Sequence, residues 1–333
     1  MTVLRIGHIE VYAADQPAAV DYFASSCGLA VRAHALSEHA HSTLLERGDF
    51  RLIVTGGIDA AGFLEEHGDG VADIAFVCAD PDALRRSALA AGGRPVGPDG
   101  AVSGFGSVRH TLLPASTVAW PSDRVWIPVA EPAGPHGHIR ALDHIAVCVD
   151  AGSLAGCIAY YIDGFGFERY SSEYIEVGNQ AMDSIVVRNR AANATFTVLE
   201  PDAVREAGQI DAFLDRNGGP GVQHLAFLVD DIVSAVREYR GRGVEFLTTP
   251  ATYYDALTER LNEMTLEIAD LSETGVLADR DEWGYLLQLF TRSPHPRNTL
   301  FYELIQRRGA RGFGSANIRA LYEAVERDRL IAE

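Results

Sequence analysis

The sequence has little of what usually announces a compartment or a chemistry. Its 333 residues include four cysteines, Cys27, Cys78, Cys148 and Cys157, with no CxxC pair and no dense framework, so a reduced, cytoplasmic setting is expected. Basic residues are few: 28 Lys and Arg face 46 Asp and Glu, a net charge of −18. That balance argues against a nucleic-acid or anionic-membrane partner, which needs a basic surface. No apolar run approaches the roughly 18 to 20 residues of a membrane helix, and the first residues, MTVLRIGHIEVYAADQP, turn polar too early for a signal-peptide core. GxSxG, P-loop and strand-linked GxGxxG motifs are missing; GFGSAN (Gly312 to Asn317) has neither the spacing nor the following acidic residue. Cys148 and Cys157 lie in apolar runs and read as packing residues rather than nucleophiles. What remains is an ordinary globular composition, 47% apolar and 22% charged, in a chain long enough for two domains.

The chain repeats itself. Ile6 to Tyr12 reads as a strand and Pro17 to Ser25 as a helix ended by Gly28; Leu142 to Val149 and Leu154 to Ile162 return the same order, ended by Gly166. Phe63 to Phe76 (FLEEHGDGVADIAF) matches Phe213 to Phe227 (FLDRNGGPGVQHLAF) with one insertion. Both lead into helices that start at an aspartate and end in glycine, Pro81 to Ala91 and Ile232 to Arg240. A third match sets GSVRHTLL (Gly106 to Leu113) against GYLLQLFT (Gly284 to Thr291), which makes His110 the counterpart of Gln288. Three matches in one order indicate duplication. The expected architecture is α+β, with tandem βαβββ modules over residues 1–130 and 138–333 and a Pro/Gly-rich linker at Glu131 to Gly137. An inserted helix is expected at Tyr253 to Asn262 and a terminal one at Ala316 to Arg329, lying over a core or pocket.

The chemistry concentrates in the second half. Tyr285 to Thr291 and Thr299 to Leu304 read as adjacent strands, and the second buries Glu303 between Tyr302 and Leu304, where a carboxylate needs a partner. His144 and His224 occupy the middle of two other apolar strands. The first half matches His144 with His8 but has Asp73 at the place of His224 and nothing resembling Glu303. Two imidazoles and one carboxylate with open positions form the facial arrangement of non-haem Fe(II) sites; three unrelated, internally satisfied core residues are the other reading. His34, His39, His41, His136, His138 and His295, in polar or turn-rich stretches, read as surface residues. Gln209, Gln223 and Gln288, as buried amides, require partners.

The motifs GDGVADIAF, GQIDAFLDRNGGPGVQHLAF, FLTTPATYY, LLQLFTRSPHPRNTLFYELIQR and GFGSANIRALYEAVE resemble those of the 4-hydroxyphenylpyruvate dioxygenase family. The likeness spans nearly the whole chain and is most specific in the second half. It implies the vicinal-oxygen-chelate fold, of the glyoxalase and bleomycin-resistance type: two half-open barrels, with a C-terminal helix over the active-site barrel. It also implies Fe(II) as cofactor and a small α-keto acid and O2 as partners. His144, His224 and Glu303 match the family's metal ligands, and Gln209, Gln223 and Gln288 its pocket glutamines, with a part in catalysis. Ser184, Phe290 and Phe313 match substrate-pocket positions. The first module, with Asp73 and no counterpart of Glu303, is expected to be structural and metal-free; its apolar strand edges leave room for a homo-oligomer.

The family makes two products from one substrate, homogentisate by attack on the ring and 4-hydroxymandelate by benzylic hydroxylation. Where homogentisate-forming members carry a PINEP-like strand, this chain has Thr197-Val198-Leu199-Glu200-Pro201, and a GNF-like segment becomes Ala316-Asn317-Ile318. Both departures resemble the hydroxymandelate branch and place Thr197, Leu199, Asn317 and Ile318 among the substrate-binding residues. Benzylic hydroxylation is therefore expected. Homogentisate formation, action on another α-keto acid and a non-catalytic binding role are the alternatives.

Overall fold

The computed structural model describes residues 2–97, 99–115, 120, 124–130, 137–261, 268–314 and 316–318, without the side chains of 258–260. Strands of the first half are β1 (Val3–Tyr12), β2 (Ala30–Leu36), β3 (Ala40–Arg47), β4 (Phe50–Gly57), β5 (Gly70–Cys78), β6 (Pro95–Val96), β7 (Ala101–Ser103), β8 (Arg109–His110), β9 (Leu112–Pro114) and β10 (Ile127–Pro128). Those of the second are β11 (Ile139–Cys148), β12 (Glu168–Val177), β13 (Gln180–Arg188), β14 (Thr195–Pro201), β15 (Gly221–Val229), β16 (Leu277–Arg280), β17 (Tyr285–Phe290) and β18 (Phe301–Arg308). One sheet runs β10-β2-β3-β4-β1-β5-β8-β7-β6, with β9 continuing along β5; the other runs β12-β13-β14-β11-β15-β18-β17-β16. The α+β duplication holds and goes one level deeper, because each half contains two βαβββ units, opened by β1 and β5 or by β11 and β15.

The central strands form because their apolar residues must be covered on both faces: β5 is buried at every position, and its counterpart β15 nearly so. Helices Pro81–Ala90 and Ile232–Gly241 start where expected, each capped by an aspartate: Asp80 accepts from the Ala83 N–H (2.9 Å) and Asp231 from that of Ser234 (3.2 Å). The inserted helix is present as Ala251–Arg260. Most of the linker, with His136, and the terminal helix beyond Ile318 lie outside the described residues. Among the described residues no helix is long and apolar enough to cross a membrane.

The ladders make the repeat exact to the residue. In the β1/β5 pair His8 faces Ala75 and Glu10 faces Asp73; in β11/β15 His144 faces Ala226 and Ala146 faces His224. Register shifts fall at equivalent places, so the bulged residues Gly7 and Ala72 correspond to Asp143 and Gln223. The parallel neighbours correct one sequence match. Asp73 pairs with Arg109 and Phe76 with Leu112, as His224 pairs with Phe301 and Phe227 with Leu304. His110 is thus the counterpart of Tyr302, not of Gln288, and Thr111 stands where the second half has Glu303. The linear match slipped by one strand because the first half's hairpin is shortened to the three residues of β7.

A single apolar cluster runs through both halves. Phe50 packs on Phe227 (5.0 Å between ring centroids), Phe76 on Phe165 (5.2 Å) and Phe23 on Tyr302 (5.2 Å). At about 1.5–3 kcal/mol per fully buried large side chain, this shared core holds the sheets together. It also corrects the reading of His295, which is buried: its ring lies 3.1 Å from Asp69 Oδ2 of the first half and 2.8 Å from the Tyr302 hydroxyl. A Pro-flanked turn looks like surface until the other half covers it. His34 and His39 are exposed as expected, and His41 and His138 half-buried.

Candidate metal centre

Register brings the three residues together. His144 and Glu303 flank Ala226 on one rung of β11, β15 and β18, and His224 lies two residues before Ala226. Residues on one rung, or two apart on one strand, project from the same face. Ala226, with only a methyl group, leaves the larger neighbours room to converge above it. Glu303 Oε2 lies 3.4 Å from Nε2 of both histidines, and the three donor atoms fall within 4.8 Å of one another. Ligands sharing one ion through bonds of about 2.1 Å are spaced by about 3.0–3.4 Å. Glu303 is 2% exposed, with two imidazoles rather than a guanidinium against it.

The bulges orient those imidazoles. On a regular strand Asp143 would face away from His144, and Gln223 away from His224. Each is instead the extra residue of a bulge and stays beside its histidine: His144 Nδ1 lies 2.9 Å from Asp143 Oδ1 and His224 Nδ1 3.2 Å from Gln223 Oε1. A carboxylate or amide oxygen only accepts, so each Nδ1 carries its hydrogen and each Nε2 offers a lone pair to the centre. Burial pushes the His224 pKa down, against the opposing pull of Glu303, so the ring is kept neutral, as a metal ligand must be. Burial alone would raise the Asp143 pKa. Hydrogen bonds from Arg307 and His144 overcome it and hold the group well below the usual carboxylate range.

The triad opens into a cavity of about 380 Å³, the size for one small molecule. All the expected pocket residues line it: Ser184, Thr197, Leu199, Gln209, Gln223, Gln288, Phe290, Phe313, Asn317 and Ile318. Alternation explains the wall, since Ser184 pairs with Leu199, Thr197 with Ala146, and Phe290 with Glu303 on one face of neighbouring strands. The same rule finds residues the sequence reading passed over. Met182 and Phe301 stand two before Ser184 and Glu303, and Glu173 faces Ser184 from β12. Phe301 stacks on His224 (5.0 Å) and Phe313 meets His144 edge-on (5.2 Å), so rings wall the imidazoles from water.

Two polar groups bear on occupancy. Gln288 is 1% exposed and its Oε1 has no hydrogen-bond partner among the described residues, an orphaned acceptor in the cavity wall. Asn317 is tied to the inserted helix, its Oδ1 accepting from the Tyr253 hydroxyl at 2.8 Å.

Comparison with known proteins agrees with this geometry. Residues 141–289 match the Glyoxalase/Bleomycin resistance protein/Dioxygenase superfamily. The 4-hydroxyphenylpyruvate dioxygenase of Danio rerio is 33% identical over 292 residues, covering 79% of this chain and 73% of that protein. The Dictyostelium discoideum enzyme of the same name is 32% identical, with 81% of each chain covered. The chain belongs to the 4-hydroxyphenylpyruvate dioxygenase family. Within it, the structure of a triple mutant of 4-hydroxymandelate synthase from Streptomyces coelicolor superimposes with a TM-score of 0.88 at 49% identity, over 98% of this chain and 99% of that one. Family membership makes the protein a non-haem iron dioxygenase of the vicinal-oxygen-chelate fold. Two neutral nitrogens beside one carboxylate, buried and pre-oriented, fit a divalent iron.

Proposed function

We propose that the protein converts 4-hydroxyphenylpyruvate and O2 to 4-hydroxymandelate and CO2 at an Fe(II) ion held by His144, His224 and Glu303. On this reading residues 138–333 form the catalytic domain and residues 1–130 a metal-free structural one. The ion would supply chelation of the α-keto acid and activation of dioxygen. The protein's own residues set the charge: two neutral imidazoles and one carboxylate leave a positive balance that an α-keto carboxylate neutralises. Phe290, Phe301 and Phe313 exclude water from the reacting atoms. Gln209, Gln223 and Gln288 offer the hydrogen bonds that a phenol or keto acid needs, with the Gln288 oxygen ready to accept one.

The observation that carries the choice of product is the aliphatic end of the cavity. Leu199 and Ile318 pack on one apolar cluster with Cys148, Ile175, Met182, Ile210 and Phe213. With Leu199 in place of an amide the ring loses one polar handle, and Ile318 in place of a phenylalanine leaves it room, so the ring sits differently from one held by an amide and a phenylalanine. A displacement of about 1 Å changes reactivity by orders of magnitude, and the benzylic carbon rather than the ring receives oxygen. The 49% identity to a hydroxymandelate synthase supports the same reading. The two candidate products are isomers, so the test is chromatographic. Protein loaded with Fe(II) and 4-hydroxyphenylpyruvate without oxygen is exposed to air and the products are separated. Homogentisate as the main product overturns the proposal.

A further inference from the structure

We propose that Arg307 is a positioning residue that ties the orientation of His144 to the chain segment that brings Phe313 to the cavity wall. The inference rests on the reading of His144, His224 and Glu303 as metal ligands. Arg307 lies on β18, four residues after Glu303, with its side chain about four-fifths buried. Its Nε and Nη2 donate to the two oxygens of Asp143 at 2.7 and 2.8 Å, and Asp143 in turn holds His144 Nδ1. Its remaining nitrogen, Nη1, donates to the carbonyl oxygens of Gly312 (2.7 Å) and Ala310 (3.3 Å). The guanidinium also lies 5.1 Å from the ring of Phe313, which itself packs against His144.

These contacts form a closed circuit. Glu303 and His144 face each other across the centre, and behind them β18, Arg307 and Asp143 join the same two residues through the protein. The fork of a guanidinium is planar and rigid, so it fixes the carboxylate in two directions where an ammonium would fix one point. The carboxylate fixes the tautomer and ring plane of His144. Residues 310–313, bound to the other side of the fork, cannot move without disturbing it. The first sheet, which has no such triad, has Gly7 where the second has Asp143 and, at the same ladder offset, Ala115 where it has Arg307. A merely structural ion pair would pin residues 310–313 with no effect on the centre.

Metal affinity separates the two roles. Metal-free protein is titrated with Co(II), read by its visible absorption, with circular dichroism confirming the fold of each variant. Arg307→Gln and Asp143→Asn are each expected to weaken Co(II) binding by about 10–100-fold, and the double variant no further than the weaker single, because both act through one chain. Arg307→Lys, which keeps the charge and loses the fork, should recover only part of the affinity. Arg237→Gln, which breaks an exposed ion pair with Asp270, should bind as the wild type does. Wild-type affinity in folded Arg307→Gln and Asp143→Asn overturns the inference, as does a loss in Arg307→Gln that Asp143→Asn does not share. If Arg307→Gln does not fold, Asp143→Asn and Arg307→Lys decide by the same criteria. Wild-type protein that takes up no Co(II) overturns the metal reading and this inference together; uptake abolished by His224→Ala but insensitive to Asp143→Asn overturns this inference alone.

Discussion

His110 gives the first half of the molecule a measurable acid sensitivity. The ring is fully buried against Phe76 (4.3 Å between centroids) and satisfied in its neutral form, with Nδ1 2.9 Å from the Ile74 carbonyl oxygen and Nε2 2.7 Å from the Tyr161 hydroxyl. A carbonyl only accepts, so Nδ1 carries the hydrogen and Nε2 accepts from Tyr161. Burial pushes the pKa down from 6.5 to about 4. A base with a depressed folded pKa binds fewer protons folded than unfolded, so its contribution is fully present above the unfolded value. It is lost as pH falls from 6.5 towards 4. Between about pH 7.5 and about pH 4.5 that loss comes to about 2.5 kcal/mol. Other groups titrate in this range too, so the test is a difference: urea denaturation of wild type and His110→Gln across the pH series. Glutamine can donate to Ile74 and accept from Tyr161 but does not titrate. The variant should be less stable at neutral pH for want of the ring, and the gap should close by about 2.5 kcal/mol on acidification. A gap independent of pH would refute the reasoning.

Three further outcomes are expected. Replacing Leu199 by Asn together with Ile318 by Phe restores a polar handle and a ring at the aliphatic end, and should shift product from 4-hydroxymandelate towards homogentisate; an unchanged product ratio in an active variant rules out these positions as the determinant. Arg109→Met removes the guanidinium lying 3.0 Å from buried Asp73, while Glu10 keeps Arg124 at 2.7 Å; burial already pushes the Asp73 pKa up to about 7, so the carboxyl takes a proton when the cation is lost and the fold should be destabilised by about 1–3 kcal/mol; a loss below about 0.5 kcal/mol by chemical denaturation contradicts the pairing. Gly314 has φ +78°, and a Cβ there would come 2.1 Å from Gln288 Oε1. Gly314→Ala should therefore displace the Gln288 amide and raise KM for the keto acid, and an unchanged KM in a folded variant would show that the Gln288 amide does not bear on substrate binding.

Local pattern carried most of the fold and the inward-facing residues. Alternation on apolar strands is a property of a few consecutive residues, and it is enough to single out His144, His224 and Glu303, whereas Ser184, Thr197 and Phe290 carry no such local signal and are expected in the wall only by resemblance to the family. What the sequence concealed depends on residues far apart in the chain. Asp143 and Arg307 are 164 residues apart, and Asp143 reaches His144 only because a bulge breaks the alternation that would turn it away. His295 looked exposed because its turn is polar; Asp69, 226 residues earlier, covers it. The mistaken pairing of His110 with Gln288 has a similar origin, since composition matched two strands whose neighbours differ.

The duplicated ladders separate what the fold supplies from what the chemistry adds. Both sheets have bulges on the same rungs, and both leave an alanine, Ala75 or Ala226, beneath the point of convergence. The convergent geometry therefore belongs to the fold and does not depend on a metal. The occupants differ. The first sheet retains His8 but has Asp73 and Thr111 at the other two positions, and Thr111 gives its backbone N–H (3.0 Å) and its hydroxyl to Asp73. It also has Glu10 where the second has Ala146, so two carboxylates face a space in which Arg109 pairs with Asp73 and Arg124 with Glu10. The sequence has no lysine, so all 28 of its basic side chains are arginines, and each of the two sheets sets one of them to a different task. In the first, Arg109 enters the convergence point as a tethered cation and closes it. In the second, Phe301 stands at the equivalent position, the point stays open, and Arg307 acts from behind on Asp143. An open centre of buried donors is stable only if something else holds those donors in place, and the bulge residues with Arg307 are the part of this sheet that does so.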